Sequence, residues 1–134
     1  MTEKLNLYRC KICGNLVEVV LEGEGVLVCC NEEMELLQPG TKDGAKEKHI
    51  PVIEILGTTK IIKIGSIPHP MEKEHYIQFI EAISNDKRYV KRKYLYENEE
   101  PEMIIKCLDN DDFFAREYCN IHGLYSNKKE NENG

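Results

Sequence analysis

The chain has 134 residues, of which 41% are hydrophobic, and a formal net charge of −6. This length suits one ordinary domain or two small ones, and the hydrophobic content is sufficient for a core. The negative charge argues against a nucleic-acid partner, which requires basic patches. No apolar run approaches the roughly 20 residues of a transmembrane helix. Since no apolar secretory signal follows Met1, we expect a cytoplasmic protein.

Charge and composition divide the chain into unequal parts. Residues 1–37 carry 3 Lys and Arg against 7 Asp and Glu, whereas the remainder is nearly balanced. Residues 38–46 are rich in Pro, Gly and charge, which is typical of a linker. We therefore predict a small domain at 1–37, a linker at 38–46, a larger domain at 47–126 and a polar, disordered tail at 127–134.

The predicted elements of the first domain are short strands around cysteines. Residues 7–9 form the first strand, and residues 16–21 and 26–28 form a hairpin around the glycine-containing turn at 22–25. A domain of this size buries too little apolar surface to be stable alone. A covalent or metal staple is therefore expected.

The second domain is predicted to be an antiparallel β-sandwich or barrel, because β-branched and aromatic residues recur between regularly spaced turn residues. Residues 76–83 also fit helical spacing, but their flanks and β-prone side chains favour a strand. The candidate strands are 50–56, 59–64, 76–83, 88–96, 103–108 and 114–119.

Four cysteines form a strong metal-binding pattern in the first domain. Cys10 and Cys13 form a CxxC loop, and the adjacent Cys29 and Cys30 supply two further thiolates. Tetrahedral coordination by four cysteines suits both zinc and iron. The strained angles expected from adjacent cysteines lean towards iron, whereas a disulfide framework is disfavoured in a reducing compartment.

A second candidate site consists of all four histidines and one cysteine: His49, His69, His75, His122 and Cys119. Four nitrogens and a thiolate exceed the four ligands of structural zinc and favour a metal with five or six ligands, such as iron. An open sixth position would admit a small molecule.

The remaining assignments are one alternative metal site and three residues outside the ligand set. A blue-copper site needs a weak axial Met, but no methionine follows His122. Cys107 lies in an apolar strand and is predicted to be a packed thiol. By residue type alone, Glu47 and Lys48 belong to a solvated charged run.

The ordered set of motifs resembles desulfoferrodoxin, the two-iron superoxide reductase of anaerobes. The resemblance extends from Tyr8 to Tyr125, and its combination of motifs is highly specific. The motifs are residues 8–14, 29–30, 47–52, 69–76 and 119–123.

The resemblance implies a desulforedoxin-like first domain and an immunoglobulin-like second domain. It also implies two iron ions per chain. One is a rubredoxin-type centre with four cysteine ligands, and the other has four equatorial histidines and an axial cysteine. The implied ligands are Cys10, Cys13, Cys29 and Cys30 for the first centre, and His49, His69, His75, His122 and Cys119 for the second.

The implied activity is one-electron reduction of superoxide to hydrogen peroxide, a defence against oxidative stress. Lys48 would guide the anion, Glu47 would occupy the sixth position of ferric iron after turnover, and a rubredoxin-like donor would return the electron to a homodimer. Two alternatives remain open at this point: a two-iron electron carrier without a substrate, and a zinc-stabilised binding module. The residues also leave open whether the four-cysteine centre carries electrons or only staples its domain.

Overall fold

The computed structural model describes residues 1–40, 49–65, 70–106 and 113–128. The chain divides into two compact units, Met1–Gln38 and Pro39–Gly134. The domain boundaries derived from the sequence stay predictions, since most of the expected linker and tail lies outside the described residues. The expected all-β fold class is confirmed, because twelve strands form the described elements of both units.

The first unit contains two small antiparallel sheets. Strands β1 (Leu7–Arg9), β2 (Leu16–Glu18) and β5 (Glu35–Leu36) form one sheet in the order β2-β1-β5. Strands β3 (Val28–Cys29) and β4 (Glu32–Glu33) form the other. Such short ladders contribute few hydrogen bonds, so this unit depends strongly on what holds its loops together.

The predicted hairpin between residues 16–21 and 26–28 is wrong. Strand β2 pairs with β1, and β3 pairs with β4 across the two-residue turn Cys30-Asn31. Both turn residues have positive φ, 53° and 65°, as the type I′ turn that suits a two-residue hairpin requires. Neither is glycine, so the usual signal for this turn is missing from the sequence.

The second unit contains the sandwich, in two antiparallel sheets. One has the order β10-β7-β6 and the other the order β12-β11-β8-β9. The first sheet comprises β6 (Pro51–Leu56), β7 (Thr59–Ile64) and β10 (Glu102–Ile105). The second sheet comprises β8 (Ile77–Ser84), β9 (Val90–Tyr94), β11 (Phe113–Cys119) and β12 (Gly123–Ser126).

Strand β8 lies at the centre of the second sheet and is buried on both faces. The prediction of a strand rather than a helix here is therefore confirmed. Ile80 and Ala82 contribute to a core completed by Ile62 of β7 and Met103 of β10. Continuous burial explains why apolar residues fill both parities of this strand and imitate helical spacing.

Strand β12 was not predicted, and it continues the sheet beyond β11. Leu124 pairs with Tyr118, and Ser126 pairs with Arg116. Asn127 and Lys128 open the segment for which disorder was expected, and both make hydrogen bonds: Asn127 Oδ1 accepts from Ala115 N, and Lys128 N donates to Ser126 Oγ.

Among the described residues, no helix has the length and apolar character that crossing a membrane requires.

Candidate metal centres

The four cysteines of the first unit converge on one point. The sulfurs of Cys10, Cys13, Cys29 and Cys30 all lie within 4.8 Å of one another. Cys13 Sγ is 3.6 Å from Cys29 Sγ, and Cys29 Sγ is 3.9 Å from Cys30 Sγ. None of these thiols forms a disulfide. Four thiols at this spacing provide the donor set that a tetrahedral metal ion takes up.

Local backbone geometry brings the sulfurs together. Cys10 follows β1, and the loop closes through the Gly14 N–H, which donates to Cys10 O at 2.9 Å. Gly14 has φ of 84°, a conformation that costs little without a Cβ. On the opposite side, Cys29 ends β3 and Cys30 enters the turn with positive φ. That turn lets adjacent residues direct both sulfurs to the same place.

The neighbouring thiols of this cluster shift one another's pKa values. The backbone N–H of Cys13 lowers the pKa of the Cys10 thiol to about 6. Interaction with Cys13 raises the pKa of Cys29, and interactions with Cys13 and Cys29 raise the pKa of Cys30 to about 12. Crowded thiols thus resist carrying several negative charges together, and a bound metal ion removes that resistance.

A second cluster forms in the sandwich unit. The ligand atoms of His49, Cys119 and His122 lie within 4.8 Å of one another. The His75 ring packs edge-on against His122 with a centroid distance of 4.9 Å, and the His49 ring lies 4.7 Å from His122. The structure therefore brings together the donor atoms of two of the four histidines and of the cysteine that the sequence singled out, and it places the ring of a third histidine, His75, against His122.

Strand β11 and the turn after it position the sulfur and one imidazole. Cys119 is the last residue of β11, and the register of β11 against β8 shifts between Tyr118 and Cys119. His122 lies in the turn that leads into β12, and Gly123 has φ of 86°. The turn keeps the two side chains close, with Cys119 Sγ 4.0 Å from His122 Nδ1.

The sulfur of Cys119 is shielded from solvent. Cys119 is fully buried, and this burial raises the pKa of its thiol, although hydrogen bonds from the backbone N–H groups of His122 and Ile121 act in the opposite direction. A buried thiolate is stable only with a compensating positive charge. The donor set of imidazoles and a thiolate supplies a suitable site for such an ion.

Two residues around His49 were missed by the sequence analysis. Glu117 is completely buried, and its Oε2 lies 3.7 Å from His49 Nδ1. The Tyr125 ring stacks on the His49 ring with a centroid distance of 4.5 Å. A carboxylate beside one ring nitrogen and an aromatic face against the ring fix an imidazole so that its other nitrogen can bind a metal. The available signal was position, since Glu117 precedes Cys119 by two residues on one strand.

Three predicted site residues, Glu47, Lys48 and His69, lie outside the described residues. The same is true of Cys107. The roles expected for them stay predictions.

Comparison with known families covers both units. Residues 2–37 match a family model described as the desulfoferrodoxin N-terminal domain, and residues 41–128 match one described as desulfoferrodoxin. The chain is 48% identical over 128 residues to a desulfoferrodoxin of Syntrophotalea carbinolica, an alignment covering 96% of this chain and 99% of that protein. It is 31% identical over 106 residues to a superoxide reductase of Pyrococcus abyssi, with 67% and 92% covered.

Solved structures of superoxide reductases also superpose on this chain. The superoxide reductase of Treponema pallidum superposes with a TM-score of 0.70 at 31% identity, covering 94% of this chain and all of that one. A one-iron superoxide reductase from Giardia intestinalis superposes with a TM-score of 0.52 at 27% identity, covering 61% of this chain and 96% of that one.

Proposed function

Since the chain belongs to the desulfoferrodoxin family, we propose that it is a superoxide reductase. One superoxide anion takes up one electron and two protons and leaves as one hydrogen peroxide molecule. The chain carries two iron centres, as the donor clusters of its two units indicate. The observation that carries the proposal is the convergence of His49, Cys119 and His122, with the His75 ring against that of His122.

The proposed ligands of the second centre include one residue outside the described chain. The buried sulfur of Cys119 and the neighbouring imidazoles of His49, His75 and His122 would hold the ion. His69 completes the set by its motif. Iron, when bound there, supplies the electron and an open coordination position.

Three side chains tune this site. The Cys119 thiolate would donate electron density to the bound ion, as a cysteinate does in haem enzymes. Lys48 adjoins His49 in the chain, and its ammonium draws the superoxide anion towards the site of this net acidic protein. Glu47 would supply a carboxylate ligand to the oxidised ion.

The first centre is a rubredoxin-type iron site on Cys10, Cys13, Cys29 and Cys30. Since the reaction consumes an electron and returns none, an external donor must supply it. We propose a rubredoxin-like carrier in the cytoplasm as that donor.

A homodimer is the proposed assembly. The first unit leaves large apolar side chains in solvent, with Leu21 81% exposed and Val26 and Val28 each 60% exposed. Val26 and Val28 also line an apolar groove of about 590 Å³ with Val17 and Met34. A second copy that covers this face would remove apolar surface from water.

The test of the proposed site is metal analysis combined with anion titration. We expect two iron ions per chain and a visible spectrum whose second-centre band shifts when azide is added to the oxidised protein, because one coordination position is open. In an electron carrier whose iron has no open coordination position, azide would not shift the band. A zinc-stapled module would be colourless. Either result would contradict the proposal.

A further inference from the structure

The side-chain amide of Asn120 connects the turn after β11 with the segment that carries His75. Its Nδ2 donates to the backbone carbonyl of Glu74 at 3.1 Å. Its Oδ1 accepts from the backbone N–H of Tyr76 at 3.0 Å. The backbone N–H of Asn120 also donates to Tyr76 O at 3.2 Å. One residue therefore contacts the chain on both sides of His75.

The chemistry of these contacts requires a carboxamide. The Tyr76 N–H can only donate, and the Glu74 carbonyl can only accept, so the orientation of the Asn120 amide is determined by its partners. An aspartate of the same shape would place a second acceptor against the Glu74 carbonyl. A serine offers only a single oxygen on a shorter side chain and could not bridge both groups.

The segment that Asn120 contacts includes a closed turn at residues 72–75. The His75 N–H donates to Glu72 O at 3.1 Å, and the Glu72 N–H donates to His75 O at 3.0 Å. The turn is thus rigid within itself, but these two hydrogen bonds do not attach it to β11. The ladder between β8 and β11 attaches the chain to β11 from Ile77 onwards, and the Asn120 contacts extend that attachment to Tyr76 and Glu74, on either side of His75.

Asn120 directly follows Cys119, so the attachment sets one donor relative to another. If the turn moved along β11, the His75 ring would lose its place 4.9 Å from His122, and the donors would no longer face one ion. Metal sites lose affinity when a ligand is displaced by about 0.5 Å or more.

We propose that Asn120 is a positioning residue that holds His75 in register with Cys119 and His122 and thereby preorganises the second metal centre. This inference rests on the proposed function, because it takes His75 as a ligand. Asn120 does not touch the metal or superoxide, and acts only through the backbone on either side of His75.

The test measures metal affinity rather than activity. The metal-free full-length chain is titrated with Co(II) against a competing chelator, and the two centres are distinguished by the different spectra of sulfur-only and mainly nitrogen coordination. We expect Asn120→Ala to weaken Co(II) binding at the second centre roughly 10- to 100-fold, the range found for residues that orient ligands. Binding at the four-cysteine centre should not change.

Two further variants separate positioning from general stability. Asn127→Ala is the matched control, because it removes an amide-to-backbone hydrogen bond at the far end of β11 and should leave Co(II) affinity unchanged. Asn120→Asp should weaken Co(II) binding despite its added negative charge, which by itself would attract the cation. If the alanine variant fails to fold, the Co(II) affinity of Asn120→Asp tests the proposal.

A double-mutant cycle with His75→Ala completes the test. If Asn120 acts through His75, its substitution has no further effect on Co(II) affinity once the imidazole is gone. Wild-type affinity in Asn120→Ala and Asn120→Asp, or full additivity with His75→Ala, would overturn the inference while leaving the proposed function intact. Wild-type affinity in His75→Ala alone would instead remove His75 from the proposed ligand set.

Discussion

The imidazole of His49 is held on two sides by residues distant in sequence. The Glu117 carboxylate lies 3.7 Å from Nδ1, and the Tyr125 ring stacks on the imidazole plane. Gly40 is part of the same packing, because a Cβ added there would lie 2.6 Å from Tyr125 Cε2. The orientation of this proposed ligand therefore depends on Glu117, on Tyr125 and, through Tyr125, on Gly40, none of which is a proposed ligand.

Lys48 gives the prediction at the scale of one residue. Lys48→Ile should slow the second-order reaction of the reduced protein with superoxide roughly tenfold or more, because local positive charge steers the anion. The effect should be largest at low ionic strength, where screening is weakest. Stopped-flow or pulse-radiolysis kinetics at several salt concentrations provide the measurement.

Lys106→Ile is the control for Lys48. It makes the same change in net charge at an exposed position after β10, so it tests whether the total charge or the local charge matters. Equal rate losses in the two variants would contradict a steering role for Lys48.

The ligand types were predictable from the sequence, but their supporting residues were not. Cysteines and histidines are few in this chain, so their spacing carries information even without coordinates. Glu117 and Asn120 are common residue types, and their importance arises from cross-strand contacts that no local pattern reveals. A glutamate inside a strand reads as a solvated side chain until its burial is known.

At the scale of elements, an ion-pair network joins three strands of the larger sheet. Glu81 of β8 is fully buried, with Arg92 Nε of β9 at 2.8 Å from one carboxylate oxygen and Arg116 Nε of β11 at 2.6 Å from the other. These residues are cross-strand partners in the ladder. The network fixes the register of β11, which ends in Cys119.

Replacing Glu81 tests this network. Glu81→Gln should lower the free energy of unfolding of the sandwich unit by about 3–5 kcal/mol, because it leaves the buried guanidinium group of Arg116 without its compensating charge. The matched control is Glu54→Gln, which breaks a pair with Lys63 at 3.0 Å in which both side chains are nearly half exposed. That variant should cost about 1 kcal/mol or less.

Chemical denaturation followed by far-ultraviolet circular dichroism measures both variants. Equal, small losses of stability for Glu81→Gln and Glu54→Gln would show that the buried network contributes no more than a surface pair.

The elements that the sequence missed share a physical cause. Strands β3, β4 and β5 have two residues each, too few to display alternation, and the turn between β3 and β4 uses non-glycine residues with positive φ. Strand β12 follows a ligand turn and leads into a polar tail, so neither flank marks it as a strand. Tertiary pairing, rather than local propensity, determines these elements.

At the scale of the whole molecule, the two units differ in what stabilises them. The sandwich buries a continuous cluster that includes Ile62, Ile80 and Met103. The first unit buries few apolar side chains, chiefly Leu5, Leu7 and Val19, so its stability should depend on the metal held by its cysteines.

Removal of metal should therefore affect the units differently. After treatment with a strong chelator, we expect amide NMR signals from the first unit to collapse towards random-coil positions, while signals from β8 and β11 remain dispersed. Addition of Zn(II) should restore the first unit, since zinc also fits four thiolates. A first unit that keeps its dispersed signals without metal would contradict this dependence.

The reaction itself provides the most direct test of the account. The reduced full-length protein is exposed to a known quantity of superoxide, and the hydrogen peroxide and dioxygen formed are both measured. Reduction predicts one hydrogen peroxide for each superoxide consumed by the protein, with no dioxygen and with oxidation of the second iron centre. Formation of one dioxygen for each hydrogen peroxide, or decay of superoxide at its spontaneous rate, would contradict the assignment.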